Sequence, residues 1–93
     1  MRTIEYATAF RRDYKRIKAT PRYRDVEALL TPMLSLLAED RPLPPGHRDH
    51  ALSGNWSGYR ECHARPDPLL IYAKPGATVS RLARLGSHSD LFG

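Results

Sequence analysis

The sequence predicts an α+β domain of order β-α-α-β-β-β, in which a helical hairpin covers one face of an antiparallel sheet. Three observations predict it. Apolar residues recur at helical spacing in two successive stretches, first Phe10, Tyr14 and Ile17, then Val26 to Leu37. After Trp56 the period changes to the alternation of strands. Those strands are separated by short turn signals, so neighbours in sequence should pair antiparallel. The 93 residues are read as one domain with a thin core, spanning 1–93.

Arg2 to Tyr6 (RTIEY) alternates and forms the first expected strand, and Thr8 opens the first helix. Off its apolar face that helix carries Arg11, Arg12, Lys15, Arg16 and Lys18, with Asp13 the one acid among them. Such a stripe is either a solvated face or a phosphate-contacting one. Thr20-Pro21 reads as the start of the second helix, with Thr as N-cap and Pro at the first helical position. Val26, Leu29, Leu30, Met33, Leu34 and Leu37 then follow the i, i+3, i+4, i+7 pattern of a core-facing helix. Pro32 lies inside this pattern, removes one helical hydrogen bond and is expected to kink or break the helix. The short link between the helices makes them an antiparallel hairpin.

Glu39 to His47 (EDRPLPPGH) is a Pro-rich loop. Three strands follow: Tyr59 to His63, Leu69 to Lys74, and Thr78 to Gly86, the last two joined by a Pro75-Gly76 type II turn. Alternation puts Glu61 and His63 on one face of their strand and turns Cys62 to the other. With the helices on one sheet face, the opposite face is expected to be free.

The net charge of +5 suggests a polyanionic partner, nucleic acid or an acidic protein, or else a solvated basic surface. Cys62 is the single cysteine, which excludes an internal disulfide. Met1 to Ala9 has no apolar leader run, and no stretch reaches the roughly 18 apolar residues of a membrane span. These features point to the cytoplasm and away from a membrane.

The chemistry-bearing residues are His47, His50, His63 and His88, with acids at Asp49, Glu61 and Asp67. Cleaving RNA without a metal takes a base for the 2′-OH, an acid for the leaving 5′-oxygen, and cations for the charged phosphorane. Histidine suits both proton transfers, because its pKa near 6.5 lies close to working pH. Arginine offers a permanent charge in a fork that matches phosphate oxygens. Zinc is the competing use of histidines, but there is neither an HExxH spacing nor a CxxC pair, so no metal is expected. Cys62 turned away from His63 makes a poor nucleophile pair. Taken singly, each histidine has an ordinary reading. His47 is expected to be merely exposed in its loop.

The run Asp49-His50-Ala51-Leu52-Ser53-Gly54-Asn55-Trp56-Ser57-Gly58-Tyr59-Arg60-Glu61-Cys62-His63, continued by Pro66-Asp67 and Leu70-Ile71-Tyr72, resembles the DH-x-L-x-G-x-W-x-G-x-R-[DE]-x-H signature of YafQ-type toxins. The end of the chain, Arg84-Leu85-Gly86-Ser87-His88-Ser89-Asp90-Leu91-Phe92-Gly93, is similar to the R-x-G-[ST]-H-x-x-LFG ending of the same family. The resemblance implies a RelE-like fold, ribosome-dependent cleavage of translated mRNA, no cofactor, and an acidic cognate antitoxin. It places His50, His63, Asp67 and His88 in the active site, with Glu61, Arg84 and Phe92 at the substrate. Some members carry Asp where this chain has Glu61, whose extra methylene displaces the carboxylate. On this reading His50 is the base and His88 the acid, and Asp67 orients a histidine. His63 and Arg84 bind the scissile phosphate, and Phe92 either stacks on a base or anchors the C-terminus. Trp56 is expected to pack its loop. Two rivals share the fold: a ParE-like toxin that inhibits a topoisomerase, which lacks this histidine set, and a non-catalytic RNA-binding protein.

Overall fold

Two apolar helix stripes and one buried strand decide the layers. The computed structural model describes residues 1–93. Strand β1 (Thr3–Tyr6) leads into helix α1 (Thr8–Ala19), a 3₁₀ turn (Pro21–Tyr23) and helix α2 (Val26–Ala38). Then come a 3₁₀ turn (Pro45–His47), strand β2 (His50–Ala51), a 3₁₀ turn (Gly54–Trp56), strands β3 (Arg60–His63), β4 (Leu69–Ala73) and β5 (Val79–Gly86), and a short helix α3 (His88–Phe92). Phe10 and Ile17 of α1 and Val26, Leu30, Met33 and Leu37 of α2 bury against Cys62, Leu70, Tyr72, Leu82 and Leu85 of the sheet. No helix is long and apolar enough to cross a membrane.

The five strands lie in the order β1-β5-β4-β3-β2. The meander β3–β4–β5 is antiparallel as expected, but β1 pairs with β5 in parallel, Thr3 opposite Val79 and Tyr6 opposite Leu82. The sheet is therefore mixed. A parallel neighbour needs a crossover connection, and the helices and strands between β1 and β5 supply one. Beyond the expected strands lies β2, a two-residue strand on the outer edge of β3 that sets His50 opposite Glu61.

Thr20-Pro21 opens the 3₁₀ turn and not α2. The Thr20 hydroxyl donates back to the Arg16 carbonyl at 2.9 Å, so it closes α1 and caps nothing ahead of it. Pro32 does not break α2, which runs through it. The proline and Ala28, whose carbonyl it leaves without an intrahelical donor, both lie on the exposed side, so water can satisfy the orphan.

The face opposite the helical hairpin is also less free than expected. All five residues of β4 are buried, because this strand is central and covered on both sides. Between β4 and β5 the register slips: Ile71 faces Arg84, yet Tyr72 faces Leu82, leaving Ala83 as an extra residue. Such a bulge resets the alternation. It lets Leu82 and Leu85, three positions apart, both enter the helix-side core.

Candidate active site

Strand register builds the site row by row. Across the sheet, His50 lies opposite Glu61, Glu61 opposite Ile71, and Ile71 opposite Arg84. The next row runs from His63 through Leu69 to Gly86, two residues before His88. With adjacent strands about 4.8 Å apart, His63 and the root of α3 are separated by about 10 Å. Register thus gathers His50, Glu61 and His63 on neighbouring positions and carries His88 to the same end of the sheet.

Glu61 is the centre of this group. It is 6% exposed, and its Oε1 lies 3.3 Å from His63 Nε2 and 3.8 Å from His50 Nε2. The two imidazole rings are 6.5 Å apart. His50 Nδ1 is 2.7 Å from the Arg48 carbonyl oxygen, to which only an N–H can donate, so Nε2 is left to accept or carry the working proton. The carboxylate that touches histidines is thus Glu61, the residue whose extra methylene put its part in question.

Asp67 is not in a histidine's reach. Its carboxylate accepts from Arg22 Nη2 at 3.2 Å, in the turn between β3 and β4. The expected contact of Asp67 with a histidine is not formed in this structure, where the carboxylate is paired with Arg22 of the Pro21–Tyr23 turn. Arg84 also has a partner. Its Nε and Nη2 donate to Asp13 at 2.6 and 3.3 Å, while the Leu85 N–H donates to the same carboxylate at 3.0 Å. β1 ends opposite Leu82, so the β5 edge beyond it would be unpaired, and Asp13 of α1 takes over there. Burial alone would raise the Asp13 pKa. The hydrogen bonds from Arg84, the Leu85 amide and Arg16 outweigh it and hold the carboxyl below its ordinary value.

His88 and Phe92 sit one helical turn apart on α3 with ring centroids 5.1 Å apart. α3 is only five residues long, and its start is fixed by a capping box. Asp90 N–H donates to the Ser87 hydroxyl, Ser87 N–H donates to the Asp90 carboxylate, and Arg16 also reaches Asp90 at 3.3 Å. Gly86 lets α3 fold this close: a Cβ there would sit 3.0 Å from Asp90 Cβ. Cys62, fully buried on the helix side, has its thiol pushed far up by burial and then by Asp49 and Glu61, so it is inert as a nucleophile.

Comparison with known proteins decides what this arrangement belongs to. Residues 2–93 match the family described as a bacterial toxin of type II toxin–antitoxin systems, YafQ. The chain belongs to the YafQ toxin family. It is 40% identical over 92 residues to the mRNA interferase toxin YafQ of Escherichia coli K12, covering 99% of this chain and 97% of that one. The crystal structure of YafQ from E. coli BL21(DE3) superposes with a TM-score of 0.87 at 36% identity, covering the whole of both chains. The YafQ chain of the E. coli DinJ–YafQ toxin–antitoxin complex gives 0.84 at 38% identity, covering 99% of this chain and 98% of that one. The α+β, RelE-like fold expected from the motifs is thus the fold of the YafQ family.

Two further residues position this YafQ-type site, and sequence reasoning gave neither a part. His47 is half-buried, not merely exposed: its Nδ1 donates to the His63 carbonyl at 2.7 Å, pinning the Pro-rich loop to the end of β3. Asp49 Oδ1 accepts from the Tyr72 hydroxyl at 2.7 Å and from Arg60 Nε at 3.2 Å, fastening the residue before His50 to the sheet. The only signal for Asp49 was its place beside His50 in the DH pair. For His47 there was none, since its acceptor is a backbone carbonyl sixteen residues away.

Proposed function

We propose that this protein is the toxin of a type II toxin–antitoxin pair, a metal-independent endoribonuclease that cuts translated mRNA on the ribosome. The observation that carries the reading is Glu61 lying within 4 Å of both His50 and His63, on the sheet end where α3 holds His88. His50 Nε2 takes the proton of a ribose 2′-OH, its Nδ1–H being committed to the Arg48 carbonyl. The 2′-oxygen attacks phosphorus, the bond from phosphorus to the 5′-oxygen breaks, and His88 gives the leaving oxygen a proton. Glu61 stabilises the imidazolium that forms and orients both rings, the part expected of Asp67. His63 donates to the scissile phosphate. Phe92, beside His88, offers a face for base stacking worth about 1–3 kcal/mol.

This shallow rim cannot by itself bend an RNA into line for 2′-OH attack. A ribosome that grips its message supplies that positioning. The net charge of +5, with Arg11, Arg12 and Lys15 projecting from α1, suits an acidic antitoxin, and the DinJ–YafQ complex of the E. coli relative supports such a partner. The deciding experiment is to digest a translated message and determine the new ends. A 5′-hydroxyl facing a 2′,3′-cyclic or 3′-phosphate is expected, with activity surviving EDTA under conditions that keep ribosomes intact. A 5′-phosphate would require an activated water and would overturn the mechanism.

A further inference from the structure

Cations near a phosphate-cutting site are useful only if their charge is not already spent. Arg84 is held by Asp13, Arg22 by Asp67, and Arg60 by Asp49. The cleft that opens at His63 is lined by Gly46, Arg48, His63, Arg65 and Pro66, so two guanidinium groups and an imidazole face a single apolar ring. Neither Arg48 nor Arg65 takes part in any ion pair or side-chain hydrogen bond, and both are exposed. The backbone around them is firmly placed. Arg48 ends the Pro45–His47 turn in a left-handed conformation, φ 50°, while its carbonyl holds His50 and its neighbour His47 is tied to His63. Arg65 lies two residues past His63, at the end of β3.

We infer that this cleft is a phosphate subsite. Arg48 and Arg65 together grip an RNA backbone phosphate flanking the scissile one and lead the strand past His63. The inference rests on the nuclease reading above and moves the main phosphate-gripping charge from Arg84, which is already paired, to two arginines that are free. Guanidinium forks match phosphate oxygens and need no base identity, so the subsite positions the strand and does not read its sequence. Gly46 completes the cleft wall. A Cβ there would meet nothing within 4 Å, so the position has room for a side chain.

The test uses ribosomes programmed with messages that carry one neutral methylphosphonate linkage at successive positions around the cut. Wild-type protein should lose about tenfold in cleavage at one flanking position, the worth of a charge-assisted hydrogen bond. R48Q/R65Q should be slower on the all-phosphate message, chiefly through a raised KM, and should lose nothing further at that position. Gly46→Glu, which puts a negative charge in the cleft, should mimic it, whereas Gly46→Ser should not. A double variant of equal charge change elsewhere, Arg41→Gln with Arg81→Gln, whose side chains pair with Glu39 and Glu5, should cut as wild type does. Equal rates for R48Q/R65Q and wild type would overturn the subsite. So would fully additive losses at every linkage, or an equal loss in the Arg41/Arg81 control. If wild type cuts none of the messages, the nuclease reading itself falls.

Discussion

Glu61 is 6% exposed and lies within 4 Å of two histidines, and the proposed mechanism gives it the task of stabilising their charge. Glu61→Gln keeps shape and volume but removes the charge that stabilises an imidazolium. It should fold as wild type in a thermal melt and cut about 10–100-fold more slowly, the loss residing in kcat. Asp67→Asn should cost less, since its partner is Arg22; if the two variants rank the other way, Glu61 is not the orienting group. His88→Ala should lose about 10²–10⁴-fold and remain folded, because α3 is short and has no buried residue. His47→Ala, although given no proton transfer, should destabilise by about 1 kcal/mol through its lost bond to the His63 carbonyl. Asp13→Ala should destabilise by about 1–3 kcal/mol, leaving the Leu85 amide and Arg84 without their acceptor. The Asp13 pKa is depressed in the folded protein, so its stabilisation is present above the ordinary carboxylate range and fades as pH falls through the folded value. Urea melts of wild type and Asp13→Ala should therefore differ at neutral pH and converge in strong acid.

At the scale of elements, what the sequence made legible is what depends on local period. Val26 to Leu37 announced α2, and Tyr59 to His63 and Leu69 to Lys74 announced β3 and β4 with Cys62 turned inward. The parallel pairing of β1 was not legible, because its partner lies more than seventy residues away and alternation carries no direction. Nor was the bulge at Ala83, which alternation alone would have read as Leu82 and Arg84 on one face. The same holds for the site: histidine positions followed from motif spacing, whereas Asp13 with Arg84 and His47 with His63 are contacts between distant elements. Pro32 offers a test at this scale. It sits on the exposed side of an otherwise continuous helix, where proline is worse than alanine by up to about 3 kcal/mol. Pro32→Ala should stabilise the protein by about 1–2 kcal/mol, part of the gain being offset by a more flexible unfolded chain. A lower melting temperature would mean that the proline is serving the native packing.

For the whole molecule, three properties combine: a +5 charge, an open rim of histidines and a thin single core. In the proposed function that charge draws the protein to phosphate without regard to sequence, and the open rim leaves strand geometry to the ribosome. Cutting should accordingly be much faster on ribosome-bound than on free message at equal protein and salt, and an acidic antitoxin should abolish it. In the proposed reaction the RNA's own 2′-oxygen is the nucleophile, activated by a histidine. That step is tested most directly by a ribosome-bound message with a single 2′-deoxyribose on the 5′ side of the cut. Cleavage at that bond should stop while cleavage at unmodified sites continues. Undiminished cleavage at the 2′-deoxy position would contradict it.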